Sequence, residues 1–204
     1  MFRLTYLVVF LLSISIGAVA NAEGDSGTKV IETLNAELVK IMKAGDAAGF
    51  EGRRKSIAPT INNTYNFPVI GAMATGKNWD KFSKSEKVNL VNALRELAIA
   101  TYASRFSNYS GEEFLVLSEE KRSNGTLRVK SEILQSDGGA IPLDYVLYLD
   151  NSGWKVVDVI FMGSFSELGM RKSEYLATIS SRGIDGLIKE IEKKVTGYES
   201  GTLQ

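Results

Sequence analysis

Residues 141–161, IPLDYVLYLDNSGWKVVDVIF, are the stretch that decides the fold. Two apolar runs flank the turn sequence Asn151-Ser152-Gly153, a pattern that predicts a β-hairpin. In the first run the alternate residues from Leu143 to Leu149 are all apolar, and only Asp144 among those between them is charged. Because successive side chains of a strand point to opposite faces, one face is wholly apolar and the other nearly so. Such a sheet needs cover on both faces, or a cavity on one.

Two further strands are predicted upstream, at residues 114–120 and 126–135. Asn124-Gly125 between them predicts a tight hairpin, because both residue types tolerate a positive φ. Asp137-Gly138-Gly139 then leads into residue 141. Turns this short join neighbouring strands, so the four strands predict one antiparallel meander.

Helical periodicity precedes and follows the strands. Apolar residues recur at helical intervals in residues 28–42, 50–65, 83–106, 164 or 166 to 181, and 184–195. We expect Pro59 to weaken the second helix, Asn66-Phe67-Pro68 to break the chain after it, and Gly183 to separate the last two. Ser83 and Glu86 have the spacing of a capping box and predict the start of the third helix.

Helices, then strands, then helices indicate a single α+β domain, with no repeat or linker to divide it. We place this domain at residues 23–197 and a flexible tail at 198–204. The first 22 residues predict a signal peptide, because Arg3 precedes an apolar run and Ala20 and Ala22 form a small-residue cleavage site. The alternative, a membrane anchor, would need about 20 apolar residues. We therefore expect export, with cleavage after Ala22.

The composition removes several classes of chemistry. The chain has no histidine and no cysteine, so Ser-His-Asp triads, thiol nucleophiles and zinc sites with nitrogen or sulfur ligands are excluded. A formal net charge of zero does not favour nucleic acid or an anionic membrane surface as a partner. We expect no metal, no cofactor, no nucleic-acid partner and no enzymatic activity.

One carboxylate stands out because it interrupts an apolar strand. Asp158 lies within the run 156–160, and a buried carboxylate needs hydrogen bonds or a cationic partner. Arg171 or Lys172 on the following helix would supply one, which favours a structural ion pair. The alternative is that Asp158 or Asp144 is the general base of an enzyme.

Residues 71–78, GAMATGKN, nearly match a phosphate-binding loop. An asparagine occupies the last position, where a serine or threonine hydroxyl would bind magnesium. We therefore expect a passage from helix to loop here, and no nucleotide site.

The aromatic side chains belong either to the core or to the wall of a ligand pocket. The set comprises Tyr65, Phe67, Trp79, Phe82, Tyr102, Phe106, Tyr109, Tyr145, Tyr148 and Trp154. The chain has more apolar side chains than the core of one sheet and a few helices requires. The surplus would suit a pocket for an acyl chain or a polycyclic lipid. Composition alone leaves both interpretations open.

Several segments resemble the MlaC/toluene-tolerance auxiliary family of periplasmic lipid carriers. They are residues 66–71 (NFPVIG), Trp79, residues 102–112 (YASRFSNYSGE), residues 154–159 (WKVVDV) with Gly163, and residues 166–175 (SELGMRKSEY). The last segment is most similar to the hopanoid-biosynthesis-associated branch, HpnM. Together the segments run in order over nearly all of the chain after residue 22.

The resemblance implies helices packed on a curved, NTF2-like antiparallel sheet of four or five strands that encloses an apolar cavity. It implies a periplasmic carrier that buries the apolar part of a hopanoid or phospholipid and contacts membranes only transiently. Its implied partners are an inner-membrane transporter and an outer-membrane lipoprotein. On this basis we expect nine residues to line the lipid site: Tyr65, Phe67, Ile70, Val91, Leu94, Ala98, Tyr102, Leu147 and Ile160.

Two alternatives remain open. A small NTF2-like enzyme of the isomerase type would bring a carboxylate and a tyrosine together inside the pocket. A non-ligand adaptor of an envelope complex would have a filled core and no cavity.

Overall fold

The computed structural model describes residues 26–203; the predicted signal peptide and Gln204 lie outside this range. In chain order the elements are α1 (Gly27–Thr64), α2 (Phe67–Thr75), a 3₁₀-helix (Gly76–Lys81), α3 (Lys84–Arg105), β1 (Glu113–Lys121), β2 (Leu127–Leu134), β3 (Ala140–Asp150), β4 (Gly153–Phe161), β5 (Phe165–Ser166) and α4 (Glu167–Glu199). Within the described range, no helix has both the length and the apolar character that crossing a bilayer requires.

The five strands form one antiparallel sheet whose order, β1-β2-β3-β4-β5, follows the chain. At its centre, Tyr145 of β3 lies opposite Val129 of β2 and Val159 of β4. Residues 143–147 of β3 are all buried, so the middle of this strand is covered on both faces. The predicted α+β fold and its meander are confirmed, and the short β5 extends the sheet beyond β4.

The turn between β1 and β2 differs from the prediction. Gly125 has a φ of 81°, whereas Asn124 has no positive φ. The amide of Gly125 donates to the carbonyl of Arg122 (3.0 Å), and the amide of Arg122 donates to the carbonyl of Thr126 (2.8 Å). This is the bonding of a three-residue hairpin loop, in which a single left-handed glycine is sufficient.

The first helical region bends between the two predicted helices, 28–42 and 50–65, but Pro59 does not weaken the second of them. Gly45 and Gly49 have positive φ and bend α1 between its two halves. Pro59, however, lies inside the second half, and the helix continues through it to Thr64. The fully buried side chains of Ile57 and Ile61 flank the proline. Their burial offsets the backbone hydrogen bond that a proline cannot make.

The capping box that starts α3 is confirmed. The Ser83 hydroxyl accepts a hydrogen bond from the Glu86 amide (3.2 Å), and the Glu86 carboxylate accepts one from the Ser83 amide (2.7 Å). Buried alanines, including Ala93, Ala100 and Ala103, lie along the middle and last turns of this helix. Small side chains let helices approach closely, and α3 packs against both α1 and α4.

Helix α4 has the predicted break at Gly183, where φ is 68°. Ser166 caps its start by accepting a hydrogen bond from the Gly169 amide (2.8 Å). The helix runs to Glu199, past the point where we place the start of the tail. The amides of Thr202 and Leu203 then donate to the carbonyl of Gly197, so the chain folds back on the helix end.

The stretch that resembles a phosphate-binding loop forms the end of α2 and the start of the 3₁₀-helix, as expected for a passage from helix to loop.

A Cβ atom on Gly71 would lie 2.9 Å from a ring carbon of Trp79. Replacing Gly71 with alanine is expected to lower the free energy of unfolding by about 1–3 kcal/mol, because it overpacks this contact. Urea unfolding measures the change. With Trp79→Leu already present the same replacement should become neutral or stabilising; an undiminished loss there would contradict the explanation.

Candidate functional site

A cavity of about 170 Å³ lies between helices α2, α3 and the first turns of α4 on one side and strands β2, β3 and β4 on the other. Its helical wall includes Phe67, Ile70, Ala74, Leu94, Ala98, Thr101, Tyr102, Leu168 and Tyr175. Its sheet wall consists of Ile133, Leu143, Val157, Asp158, Val159 and Phe161. A single water needs about 10–15 Å³, so the space is an order of magnitude larger than a packing defect of that size.

Six of the nine residues predicted to contact lipid lie on the cavity wall: Tyr65, Phe67, Ile70, Leu94, Ala98 and Tyr102. The other three lie elsewhere. Leu147 is fully buried in the core, and Val91 and Ile160 are half-buried outside the lining. Val91 is only one turn before Leu94 on α3, so the cavity begins part-way along the helix's apolar face.

An aromatic ladder extends along the helical wall. The rings of Tyr65 and Phe67 stack at 5.7 Å, and Tyr65 meets Tyr102 edge-on at 6.2 Å. Tyr102 stacks on Phe106 at 5.6 Å, and Phe106 contacts Phe114 at 5.9 Å. These separations are those of attractive aromatic pairs, so the ladder forms a continuous apolar surface from α2 to β1.

Three tyrosine hydroxyls lie close together here; Tyr65 and Tyr102 line the cavity, and Tyr145 lies outside its lining. The hydroxyls of Tyr65 and Tyr102 are 2.5 Å apart. The Tyr145 hydroxyl reaches them from β3 and is buried, without a hydrogen-bond partner among residues 26–203. Burial raises the pKa of all three phenols well above its ordinary value, and each phenol raises the pKa of a neighbour. The three groups therefore stay protonated at neutral pH.

A charged pair lies beside these tyrosines. Arg171 donates to the Glu167 carboxylate (2.5 Å) and to the hydroxyl of Tyr175 (3.3 Å). Burial lowers the pKa of Arg171, but the negative charge of Glu167, the Tyr175 phenol and the hydrogen bonds to both together outweigh burial and hold this pKa above its ordinary value. The Arg171 side chain retains 25% exposure, so the pair lies between the cavity and solvent.

Residues 32–193 match the family model described as MlaC protein. The chain belongs to the MlaC family. It is similar in fold to a solved structure of a phospholipid-binding protein from Ralstonia solanacearum in complex with a phospholipid, with a TM-score of 0.73 and 18% sequence identity. The match covers 85% of this chain and 99% of that chain. The comparison with curated proteins gives no significant match.

The ion pair predicted between Asp158 and Arg171 or Lys172 is wrong for this MlaC-family chain. The Asp158 carboxylate instead accepts hydrogen bonds from the Ser166 hydroxyl (2.6 Å) and the Leu168 amide (2.9 Å) at the start of α4. The first amides of a helix have no partner inside the helix, and they attract a carboxylate. Arg171 pairs with Glu167 because the two lie one turn apart on α4.

Asp144 also has a structural role in this MlaC-family fold. Its side chain is buried and accepts two hydrogen bonds from the Arg128 guanidinium, at 2.9 and 2.5 Å, and one from the Ser131 amide at 3.2 Å. Both carboxylates that we considered as a general base are thus held by hydrogen bonds. Asp144 does not line the cavity, and the bonds to Ser166 and Leu168 hold the Asp158 carboxylate at the start of α4, so neither is placed for proton abstraction from a substrate.

Sequence reasoning missed the polar part of the wall. Arg105, Glu167, Arg171 and Tyr175 all line the cavity. The spacing of Glu167, Arg171 and Tyr175 at four-residue intervals on one helix is a signal that would have brought them together. Arg105 is exposed at the end of α3 and makes no ion pair within the described part of the chain.

Proposed function

We propose that this MlaC-family chain is a periplasmic lipid carrier that takes the apolar part of a hopanoid or phospholipid into the cavity. The observation that carries the proposal is the cavity itself, with its aromatic ladder and apolar sheet wall. The phospholipid bound to a protein of similar fold supports it. The polar group of the lipid stays at the rim, near Arg105 and Arg171.

The cavity must widen to accept a lipid. Pockets that hold drug-sized ligands have volumes of about 300–1,000 Å³, and this one has about 170 Å³. The wall that we propose moves is α3, because Leu94, Ala98 and Tyr102 present one face of that helix to the cavity. The described conformation is therefore the contracted one.

Burial of the lipid's acyl chain supplies the binding affinity. Each methylene removed from water contributes about 0.8 kcal/mol, so a long acyl chain is held tightly once it is inside. Release then needs a partner that opens the cavity. We propose an inner-membrane transporter and an outer-membrane lipoprotein as these partners, transient contact with the membranes, and export by a signal peptide at residues 1–22. The segment 166–175 favours the hopanoid-associated branch.

Two other functions fit the geometry less well. An isomerase acting on an apolar substrate would need a free base in the cavity, and Asp158 and Asp144 are both engaged in hydrogen bonds. An adaptor without a ligand would have a filled core, whereas this domain has an apolar cavity.

The test is recovery of lipid with the protein. The full chain is purified from its native host, extracted with organic solvent, and the lipid per protein is measured by mass spectrometry. Ala98→Trp places an indole in the cavity, and we expect roughly tenfold less recovered lipid because a space this small cannot hold both groups. Ala177→Trp on α4 is the matched control, since Ala177 is exposed and outside the lining.

The control should retain the lipid content of the unchanged protein. Repeated recovery of no lipid from the unchanged protein would contradict the carrier function. Equal lipid content in the Ala98 variant and the control would show that the lipid binds elsewhere.

A further inference from the structure

Four large apolar side chains lie exposed where β4 turns into β5 and α4 begins. They are Phe161, Met162, Phe165 and Met170, each 48–58% exposed. Phe161 and Phe165 are a cross-strand pair, so their side chains are neighbours on one face. Ser166 caps α4, and side chains one residue before a cap and four residues after it, here Phe165 and Met170, often pack together. The four side chains therefore form one patch, here called the apolar tip.

The turn within the apolar tip contains an unfavourable residue. Met162 and Gly163 have φ values of 52° and 72°, and Met162 is the only residue other than glycine with a positive φ in the range 26–203. The amide of Ser164 donates to the carbonyl of Phe161 (3.3 Å), as in a two-residue hairpin loop. Asparagine and glycine suit the central positions of such a loop, whereas a methionine there is strained. Because the Met162 side chain is exposed, packing within the fold does not explain it.

The apolar tip continues into the cavity. Phe161 belongs to both, since it is exposed on one side and lines the cavity on the other. Leu168, in the first turn of α4, also lines the cavity. An apolar surface thus runs from solvent to the lipid site. An acyl chain that follows this surface out of a bilayer avoids the free-energy cost of exposing its methylenes to water.

The charges next to the apolar tip suit a lipid surface. Of the four charged side chains in residues 161–175, three are held in ion pairs: Glu167 with Arg171, and Glu174 with Lys194. The fourth, Lys172, is exposed and makes no ion pair within residues 26–203. The one unpaired charge in this stretch is therefore a cation, which the negative charge of a bilayer surface attracts.

A bilayer fits the apolar tip better than a protein partner does. A stable protein interface takes roughly 20–30 residues from each side, whereas the tip consists of four side chains. Peripheral membrane proteins are held by shallow burial of apolar side chains, with basic groups beside them. The tip has both features.

We propose that the apolar tip inserts into a lipid bilayer, at the boundary between head groups and acyl chains, and sets the mouth of the cavity on the membrane. This inference rests on the proposed function. The partner at this surface is the bilayer itself, and the lipid passes along Phe161 into the cavity. Lys172 then faces the head-group phosphates.

The experiment is flotation of the full chain with vesicles of phosphatidylethanolamine and phosphatidylglycerol. The tip variant combines Met162→Asn, Phe165→Thr and Met170→Gln, none of which alters the cavity lining. We expect it to bind the vesicles roughly ten- to hundredfold more weakly, because three apolar side chains no longer leave water. Met162→Asn alone should not lower the stability in urea, since asparagine tolerates a positive φ, so weaker binding by this single variant would not reflect unfolding.

The matched control combines Val88→Gln, Leu117→Thr and Leu149→Thr, which remove three similarly exposed apolar side chains outside the cavity lining. It should bind vesicles as the unchanged protein does. Equal binding by the tip variant and the control would overturn the membrane site. Failure of the unchanged protein to bind vesicles would also overturn it, and would assign the tip to a protein partner. The carrier function is tested separately, by recovery of lipid from the native host, and stands or falls on that result.

Discussion

Asp144→Ala is expected to lower the free energy of unfolding by about 3 kcal/mol, at the low end of the loss when one partner of a buried ion pair is removed. Asp144 is only 6% exposed. Its loss removes the acceptor of the Ser131 amide and leaves the Arg128 guanidinium only the carbonyl of Gly163, at 3.5 Å. The cost is limited because the Arg128 side chain retains 23% exposure and part of its hydration.

A double-mutant cycle with Arg128→Ala isolates this pair. The double variant should be only slightly less stable than Asp144→Ala alone, because the uncompensated charge is gone. Asp80→Ala is the control: Asp80 is exposed and makes no hydrogen bond or ion pair with its side chain in residues 26–203. It should change stability by less than about 0.5 kcal/mol. Losses that simply add in the cycle would mean that the two side chains do not stabilise each other.

Arg53→Met is expected to lower the free energy of unfolding by about 2–3 kcal/mol, because hydrogen bonds to a charged donor are the strong ones. Arg53 is 7% exposed. Its guanidinium donates to the carbonyl of Gly45, at the bend of α1, and to the carbonyl of Ala103, near the end of α3, at 2.8 Å each. The last carbonyls of a helix are unpaired and carry partial negative charge, so one cation neutralises two helix ends.

Urea unfolding measures this loss, and hydrogen exchange locates it. Amides near Gly45 and Ala103 should exchange faster in Arg53→Met than in the unchanged protein. Arg53→Lys should recover only part of the stability, because an ammonium lacks the planar fork that reaches both carbonyls. Lys55→Met, at an exposed position of the same helix, is the control. If Arg53→Met were as stable as Lys55→Met, the carbonyls of Gly45 and Ala103 would be hydrogen-bonded without Arg53.

Features set by local chemistry were predictable from the sequence. Ser83 and Glu86 lie three residues apart, and each side chain reaches the other's backbone amide, so the start of α3 follows from the sequence. Glycines at the turns and the alternation in β3 likewise gave the order of the strands. These signals act over a few residues, and tertiary contacts did not override them.

Features set by tertiary contacts were not predictable in the same way. The Asp158 carboxylate could bind either a cation or the free amides at the start of α4. It binds an amide because β5, which pairs with β4, places the start of α4 beside it. Leu94 and Leu147 are both apolar, yet one lines the cavity and the other fills the core. Hydrophobicity and spacing are the same for both roles, so periodicity cannot separate them.

The order of the strands has a consequence for how the chain folds. Each strand pairs with its neighbour in sequence, so the sheet forms through short loops and at low entropic cost. The N-terminal helices join the sheet through contacts between residues that are distant in sequence. The amide of Thr28 donates to the Glu119 carboxylate, and the amide of Asn66 donates to the carbonyl of Val156. As the chain is made from its N-terminus, α1 can pack against α3 early, but its contacts with β1, β2 and β4 must wait for those strands. The packing of the first helix to be synthesised is thus completed only after the sheet, and until then part of its apolar face is exposed to aggregation.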